Sequence, residues 1–324
     1  MTSANVFQSR HFDLHQLADG VFAATHKKGG AAFSNAGIID LGERTLVVDA
    51  FDTALAARDL RKVSEDMFSR PIDILTLTHS HNDHWIGASA FDQATTMYAS
   101  KITRDETVKW GDELLEDTKN PDEWDEWVTE MEEQLQAEED ERARVDLEQS
   151  IRRTRYFIAE MSEFKPRYAD QTLDESISFE GNQRQAEFRS YGAGHSSDDA
   201  VMLLHQDGIA FIGDIGFFNQ QPFMGVCNLD HWRKQLEELR KSSFQSFVPG
   251  HGTLGSFDEI ALQLEYFDIM ENLIGQAVQK GDSLEEALQI SLPEPFSSWL
   301  MGGMTRFKVN LRYMYKRLGG ELQD

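Results

Sequence analysis

The sequence predicts an α/β fold whose layers are interrupted by an acidic helical insertion and closed by a helical C-terminal tail. Three features predict it. Short apolar runs bounded by Gly or Asp crowd the first hundred residues, and an amphipathic, acid-rich stretch fills residues 105–165. Strand-like runs then return from Ile177, before helical spacing takes over at Ser256. Strands, helices and strands again suit an α/β layering. The 324 residues would make about two average domains, yet one α/β unit often holds about 200–250. Residues 1–254 are therefore read as one layered domain interrupted at 105–165, and residues 255–324 as a helical extension.

Taken in order, residues 21–25, 34–40 and 45–49 are short and apolar, as strands are. Leu55, Leu60, Val63 and Met67 share one helix face, and Pro71 closes that helix. The apolar run 72–78 reads as a buried strand and 96–99 as another. Within 105–165, Trp124, Trp127 with Val128, Met131 and Leu135 recur at helical spacing, as do Leu147, Ile151, Ile158 and Met161. A long helix or a hairpin satisfies both sets. Strands return at 186–191, 200–205 and 208–212, the last two joined by a Gln-Asp-Gly turn. Asp230 reads as the N-cap of a helix through Leu239, and 246–248 as a short strand.

Composition excludes several function classes. With 40% hydrophobic and 27% charged residues, the chain is globular rather than disordered. The single cysteine, Cys227, excludes an intrachain disulfide and a Cys-rich zinc module. Fifty-six acidic residues against 31 basic ones give −25, which repels nucleic acid and anionic membranes alike. No apolar leader core opens the chain and no run approaches about 18 apolar residues, so a cytoplasmic, soluble protein is expected. The acidity is local: between Asp112 and Glu148, 17 acidic residues face Lys119, Arg142 and Arg144, which is −14 of the −25. A solvated face is the simplest reading of that run. A cap over a site, or a homodimer surface built on Trp124 and Trp127, are the other two.

The histidines carry the chemistry. Thr78-His79-Ser80-His81-Asn82-Asp83-His84 places three imidazoles and a carboxylate within six positions. His79 and His81, two apart, project to one side of an extended segment, and Asp83 and His84 follow where a helix starts near Trp85. Imidazole and carboxylate are the ligands that zinc accepts. Three further stretches repeat the pattern: Gly192-Ala193-Gly194-His195-Ser196, Ile212-Gly213-Asp214 and Pro249-Gly250-His251-Gly252. Each puts a ligand-type residue just past the end of an expected strand, where α/β sheets gather their sites. His11, His15, His26, His205 and His231 lack such company and read as structural or surface residues.

In this order and rough spacing, H-S-H-N-D-H, G-A-G-H-S, I-G-D and P-G-H-G strongly resemble the metallo-β-lactamase superfamily. The resemblance runs from about Leu14 to Leu254, takes in Asn35 and Val47-Val48-Asp49, and is interrupted by the acidic insertion. It implies a four-layer αβ/βα sandwich, with two mixed sheets face to face and helices outside. Carried over position by position, it implies His79, His81 and His195 around one metal. Asp83, His84 and His251 would surround a second, with Asp214 bridging. Two zinc ions are the expected cofactors, with iron or manganese as alternatives, because glyoxalase II-like thioesterases and mononuclear-iron persulfide dioxygenases share the motif.

The implied activity is hydrolysis of an acyl bond (ester, lactone, thioester or amide) in a small molecule. Two divalent ions about 3.5–4 Å apart can share a hydroxide, because each acidifies the water between them. Asp83 and Asp214 are the candidate catalytic residues: Asp83 would orient the nucleophile or shuttle a proton, and Asp214 would bridge. The alternative is oxidative, with one iron at the same histidines and a persulfide as substrate. Phe33, Ser34, Trp85, Phe217, Phe218, Phe223 and Met224 are read as an apolar rim suited to a small or amphiphilic uncharged substrate. Arg306, Lys308, Arg312, Lys316 and Arg317 would suit a glutathione carboxylate, although cations on a helix surface usually stay solvated.

Overall fold

The computed structural model describes residues 8–161, 163–299 and 303–320. Among them the strands form two mixed sheets. In the first, β1 (Phe12–Ala18), β2 (Val21–His26), β3 (Ala36–Asp40) and β4 (Thr45–Val48) pair antiparallel in series. β5 (Ile74–Thr76), β6 (Thr96–Ser100) and β7 (Gln171–Leu173) extend it in parallel. In the second, β8 (Ser176–Glu180), β9 (Gln185–Ser190), β10 (Ala200–Leu204) and β11 (Ile209–Phe218) form an antiparallel meander, and β12 (Ser246–Gly252) lies parallel to β11.

Pairing follows connection length, since parallel neighbours need a crossover and antiparallel ones need only a turn. Helix α1 (Ala54–Phe68) links β4 to β5, and α2 (Asn82–Trp85) with the 3₁₀ turn Ile86–Ala90 links β5 to β6. Between β6 and β7 come α3 (Lys101–Asp117), α4 (Pro121–Ala137) and α5 (Glu141–Met161), and α6 (Leu229–Lys241) crosses from β11 to β12. Helices α7 (Phe257–Lys280), α8 (Leu284–Ala287) and α9 (Gly303–Arg317) follow the last strand.

The period of two along each strand divides the core into layers. In β4, Leu46 and Val48 enter the space between the sheets beside Phe188, Met202 and Phe211, while Val47 packs outward with Leu60 and Leu75. In β10, Met202 and Leu204 face inward, and Val201 and Leu203 meet Trp232 and Leu236 of α6 in the outer core. Helices thus cover both outer faces of a two-sheet sandwich.

The acidic segment keeps one of its two expected forms and adds a helix: α4 and α5 pair as the hairpin, and α3 precedes them. Pro121 opens α4 at a position where its fixed φ and missing N–H are tolerated, and so cannot continue α3. Glu138 leaves the helical region (φ −77°, ψ 128°) and ends α4. Arg144 then donates to the carbonyls of Leu135 (2.8 Å) and Glu138 (3.0 Å), which the end of α4 leaves open. Val128, Met131 and Ile151 form a small core of their own with Leu135 and Ile158. Trp124 packs on Phe157 with ring centroids 5.6 Å apart, whereas Trp127 is 52% exposed. The expected cap at Asp230 also moves. Asn228 caps α6 by accepting from His231 N–H at 3.2 Å, and Asp230 instead pairs with Arg317 at 2.6 Å.

Candidate metal centre

The stretch after β5 supplies four of the polar side chains. His79 lies in the loop after β5, His81 stands in extended conformation at the N-cap of α2, and Asp83 and His84 come from the first turn of that helix. His195 sits on the loop between β9 and β10, whose shape Asp199 fixes by accepting the N–H groups of His195 (2.7 Å) and Ser196 (3.1 Å). Asp214 and His251 lie within β11 and β12 rather than past strand ends. The pairing of these two strands survives irregularities between Phe211 and Gly213 and between Gly213 and Phe217, and it carries both strands through their ligand-type residues. A Cβ at Gly250 would fall 1.9 Å from Asp214 Oδ1, so only glycine leaves that carboxylate its place.

The structure brings all seven side chains together. His79, His81, His195 and Asp214 form one group and Asp83, His84 and His251 another, the donor atoms in each lying within 4.8 Å of one another. Asp214 reaches both: Oδ2 is 3.1 Å from His195 Nε2 and 3.3 Å from His251 Nε2, and Oδ1 is 3.1 Å from His84 Nε2. Asp83 Oδ2 lies 3.2 Å from His251 Nε2.

The outer ring nitrogens explain which lone pairs point inward. Thr78 Oγ1 donates to Asp49 Oδ2 at 2.8 Å, so its contact with His79 Nδ1 at 3.1 Å makes that nitrogen the donor. His84 Nδ1 lies 2.8 Å from the same Asp49 oxygen, and His251 Nδ1 faces the Phe33 carbonyl at 3.1 Å. In all three rings the proton is held outside and Nε2 is left as an acceptor facing the cluster, as in metal-ligating histidines. Asp49 therefore orients one imidazole of each group. It is held at φ 61°, and its other oxygen accepts Thr78 N–H at 2.8 Å.

Inside the cluster His79 Nε2, His84 Nε2 and Asp214 Oδ1 are buried without an aligned hydrogen bond. Orphaned buried polar atoms are costly and call for a missing partner. The set of imidazole nitrogens and carboxylate oxygens fits a divalent ion of zinc type.

Charge points the same way. Burial resists ionisation of Asp214, yet His251, His84, His79 and His195 hold its carboxyl well below the usual range. Asp83 is held low against burial by the hydrogen bond with His251 and by His84. Burial and neighbouring imidazoles push His79 well down and His81 to about 3. His84 goes up despite burial because Asp214 and Asp49 flank it, and His251 does so because of Asp214 and Asp83. Two buried carboxylates here demand positive charge.

Of the expected rim, Phe217 stacks on His251 with centroids 4.9 Å apart, Phe33 meets the same ring at 5.4 Å, and Phe223 lies 6.2 Å from His81. Trp85 and Phe218 lie elsewhere, both fully buried. Trp85 follows His84 on α2 and turns towards Phe164 and Tyr168. Phe218 follows Phe217 on a strand, where neighbours point to opposite faces, and packs over Gly255. Met224 is buried, and Ser34 donates to the Asp83 carbonyl at 2.5 Å. Sequence reasoning named Asp49 without its role and passed over Arg153. Arg153 Cζ lies 3.5 Å from the centre of the Phe33 ring. Arg306 Cζ lies 5.6–5.9 Å from the rings of Phe33, Phe217 and Phe223. Neither arginine carries a local motif, because chain folding alone brings α5 and α9 to the site.

The family model for the metallo-beta-lactamase superfamily matches residues 29–251, more than half of the chain. The chain belongs to the metallo-beta-lactamase superfamily. As a member it is an enzyme, with a His/Asp cluster able to hold metal. Solved structures similar to this superfamily member include a metallo-beta-lactamase from Pontibacter korlensis, at 17% identity and TM-score 0.54, covering 78% of this chain and 97% of that one. The metallo-beta-lactamase FIM-1 from Pseudomonas aeruginosa in its mono-zinc form matches at 18% and 0.54, covering 80% and 97%. One from Hirschia baltica matches at 18% and 0.54, covering 78% and 95%. Such identities speak to the fold. No curated protein matches. Among the described residues no helix is long and apolar enough to cross a membrane.

Proposed function

We propose that this superfamily member is a hydrolase of acyl bonds in small molecules, working with two divalent ions, zinc foremost. One observation carries the reading: seven donor side chains, all but His81 buried, divide into two groups, and Asp214 lies within 3.6 Å of imidazole nitrogens from both. His79, His81 and His195 would hold one ion, Asp83, His84 and His251 the other, and Asp214 both. Divalent ions held there supply Lewis acidity and acidify water.

The chain's own groups supply the rest. Asp49 and the Phe33 carbonyl fix the rings of His79, His84 and His251, so the donors need little reorganisation. Asp83, held ionised against burial, can orient a water or accept its proton and pass it to the leaving group. Phe33, Phe217 and Phe223 keep bulk water from the reacting bond. A Ser or Cys nucleophile is not needed: Cys227 lies in the outer core, with its thiol pushed up to about 11 by burial.

Elemental analysis of protein purified without added metal tests this, together with a lactone, thioester and ester panel. About two zinc or manganese ions per chain and turnover of an acyl substrate are expected. About one iron with oxygen consumption on a persulfide would replace the hydrolase with the dioxygenase reading. Protein that takes up no metal even after reconstitution would overturn both.

A further inference from the structure

Two guanidinium groups stand at the mouth of the candidate centre, brought there by helices outside the sandwich. Arg153 comes from α5 in the acidic segment. Arg306 comes from α9, beyond the 29–251 stretch that the family model matches. Helices α5 and α9 pack against each other, so the two cations share one edge of the site.

Their partners differ. Arg153 is anchored: its Nε donates to the buried Asp52 at 2.9 Å, and Asp52 also accepts Phe33 N–H at 3.1 Å. With Cζ 3.5 Å above the Phe33 ring, Arg153 lies on the aromatic face and keeps its in-plane N–H donors at the edge. Arg306 has no such anchor. Its hydrogen bond among the described residues is a long one, 3.4 Å to the Gln221 carbonyl, and no carboxylate there pairs with it. It is nevertheless half-buried, over the three phenyl rings that touch His81, His195 and His251. Among the described residues it forms no ion pair, in a chain with 56 acidic residues.

A planar guanidinium with free donors, set in an apolar rim, matches one ligand chemistry above others: a carboxylate taken in a bidentate fork. We propose that Arg306, with Arg153 beside it, is the anion-recognition point of this site. The substrate is then an acyl compound carrying a free carboxylate beyond the bond to be cleaved. The aliphatic or aromatic part of such a molecule lies along Phe33, Phe217 and Phe223, and the acidic helices serve to carry Arg153 to the mouth. This replaces the uncharged substrate that the aromatic rim alone implied, and it rests on the hydrolase reading above.

The test pairs two esters on the metal-loaded protein, mono-4-nitrophenyl glutarate and 4-nitrophenyl valerate, with Arg306→Gln and Arg306→Lys as variants. In Arg306→Gln the preference for the glutarate ester, as the ratio of the two kcat/KM values, falls about ten- to a hundredfold through KM. Arg306→Lys recovers part of it. An unchanged ratio overturns the proposal. So does an equal loss on both esters with weaker metal retention, which would make Arg306 a balance for the carboxylates of the centre. If neither ester is cleaved, the hydrolase reading fails for this ester class and calorimetry with glutarate decides the arginine separately. Binding at least about tenfold weaker in Arg306→Gln than in the parent supports the recognition point, and equal binding removes it.

Discussion

The edge of the sandwich that carries the His/Asp cluster and the helical segment at 101–161 treat charge in opposite ways. At the edge, Asp49, Asp83, Asp214 and four of the five cluster imidazoles are buried, and Asp49 alone meets Thr78 and His84 within 2.8 Å. In the segment, most acidic side chains lie in solvent, and the apolar contacts are a small cluster around Val128, Met131 and Ile151 and a few side chains, Leu114 and Met161 among them, set against the outer core. A buried charge has one arrangement that satisfies it, whereas an exposed one has many. The first region is therefore specified residue by residue and the second only by its pattern.

Substitutions can break that contrast or sharpen it. Removing a ligand is the strongest intervention. His79→Ala or Asp214→Ala should abolish metal retention and cut turnover by about a thousandfold or more, read by elemental analysis beside activity; full activity in either variant would dissolve the assignment. Asp83→Asn keeps the shape and removes the proposed base. Turnover should fall about a hundredfold while thermal stability changes little, and a large drop in melting temperature instead would make Asp83 a structural residue. Asp49→Asn touches no ion but loosens His84 and Thr78. Metal affinity, followed by competition with a chelator, should weaken about ten- to a hundredfold, and an unchanged affinity would show the ring orientation to be set elsewhere. Ile151→Ala in the helical segment should cost about 2 kcal/mol, with hydrogen exchange rising in residues 101–161 and metal content unaltered. Glu126→Gln, on the exposed face, should shift stability by no more than about 0.5 kcal/mol in a denaturant titration. A larger effect there would mean that the acidic face has a partner.

Legibility in the sequence follows the same division. Strand cores such as β3, β4 and β10 were readable because apolar runs bounded by Gly or Asp have few other interpretations. The three-helix form of the acidic segment was half visible: Pro121 marks the first break, while the second depends on Arg144 reaching back to the Leu135 carbonyl, a contact no periodicity encodes. At the site, ligand chemistry restricts residue types so tightly that H-S-H-N-D-H stands out unaided. Orientation does not stand out. Trp85 and Phe218 each sit next to a residue that faces the cluster, and adjacency in sequence sends them the other way. Arg306 was one of five cations on a helix, and only the packing of α5, α9 and Phe33 singles it out.

Gly250 shows what the tight convergence of β11 and β12 demands of heredity. Because the space a methyl group would need is already filled by Asp214 Oδ1, position 250 admits one amino acid, and all nineteen alternatives displace the same carboxylate. In a saturation library selected for function, this residue, which has no side chain to offer an ion, would be as intolerant as any member of the cluster. The stretch Pro249-Gly250-His251-Gly252 is thus a clearance rule written beside a chemical one.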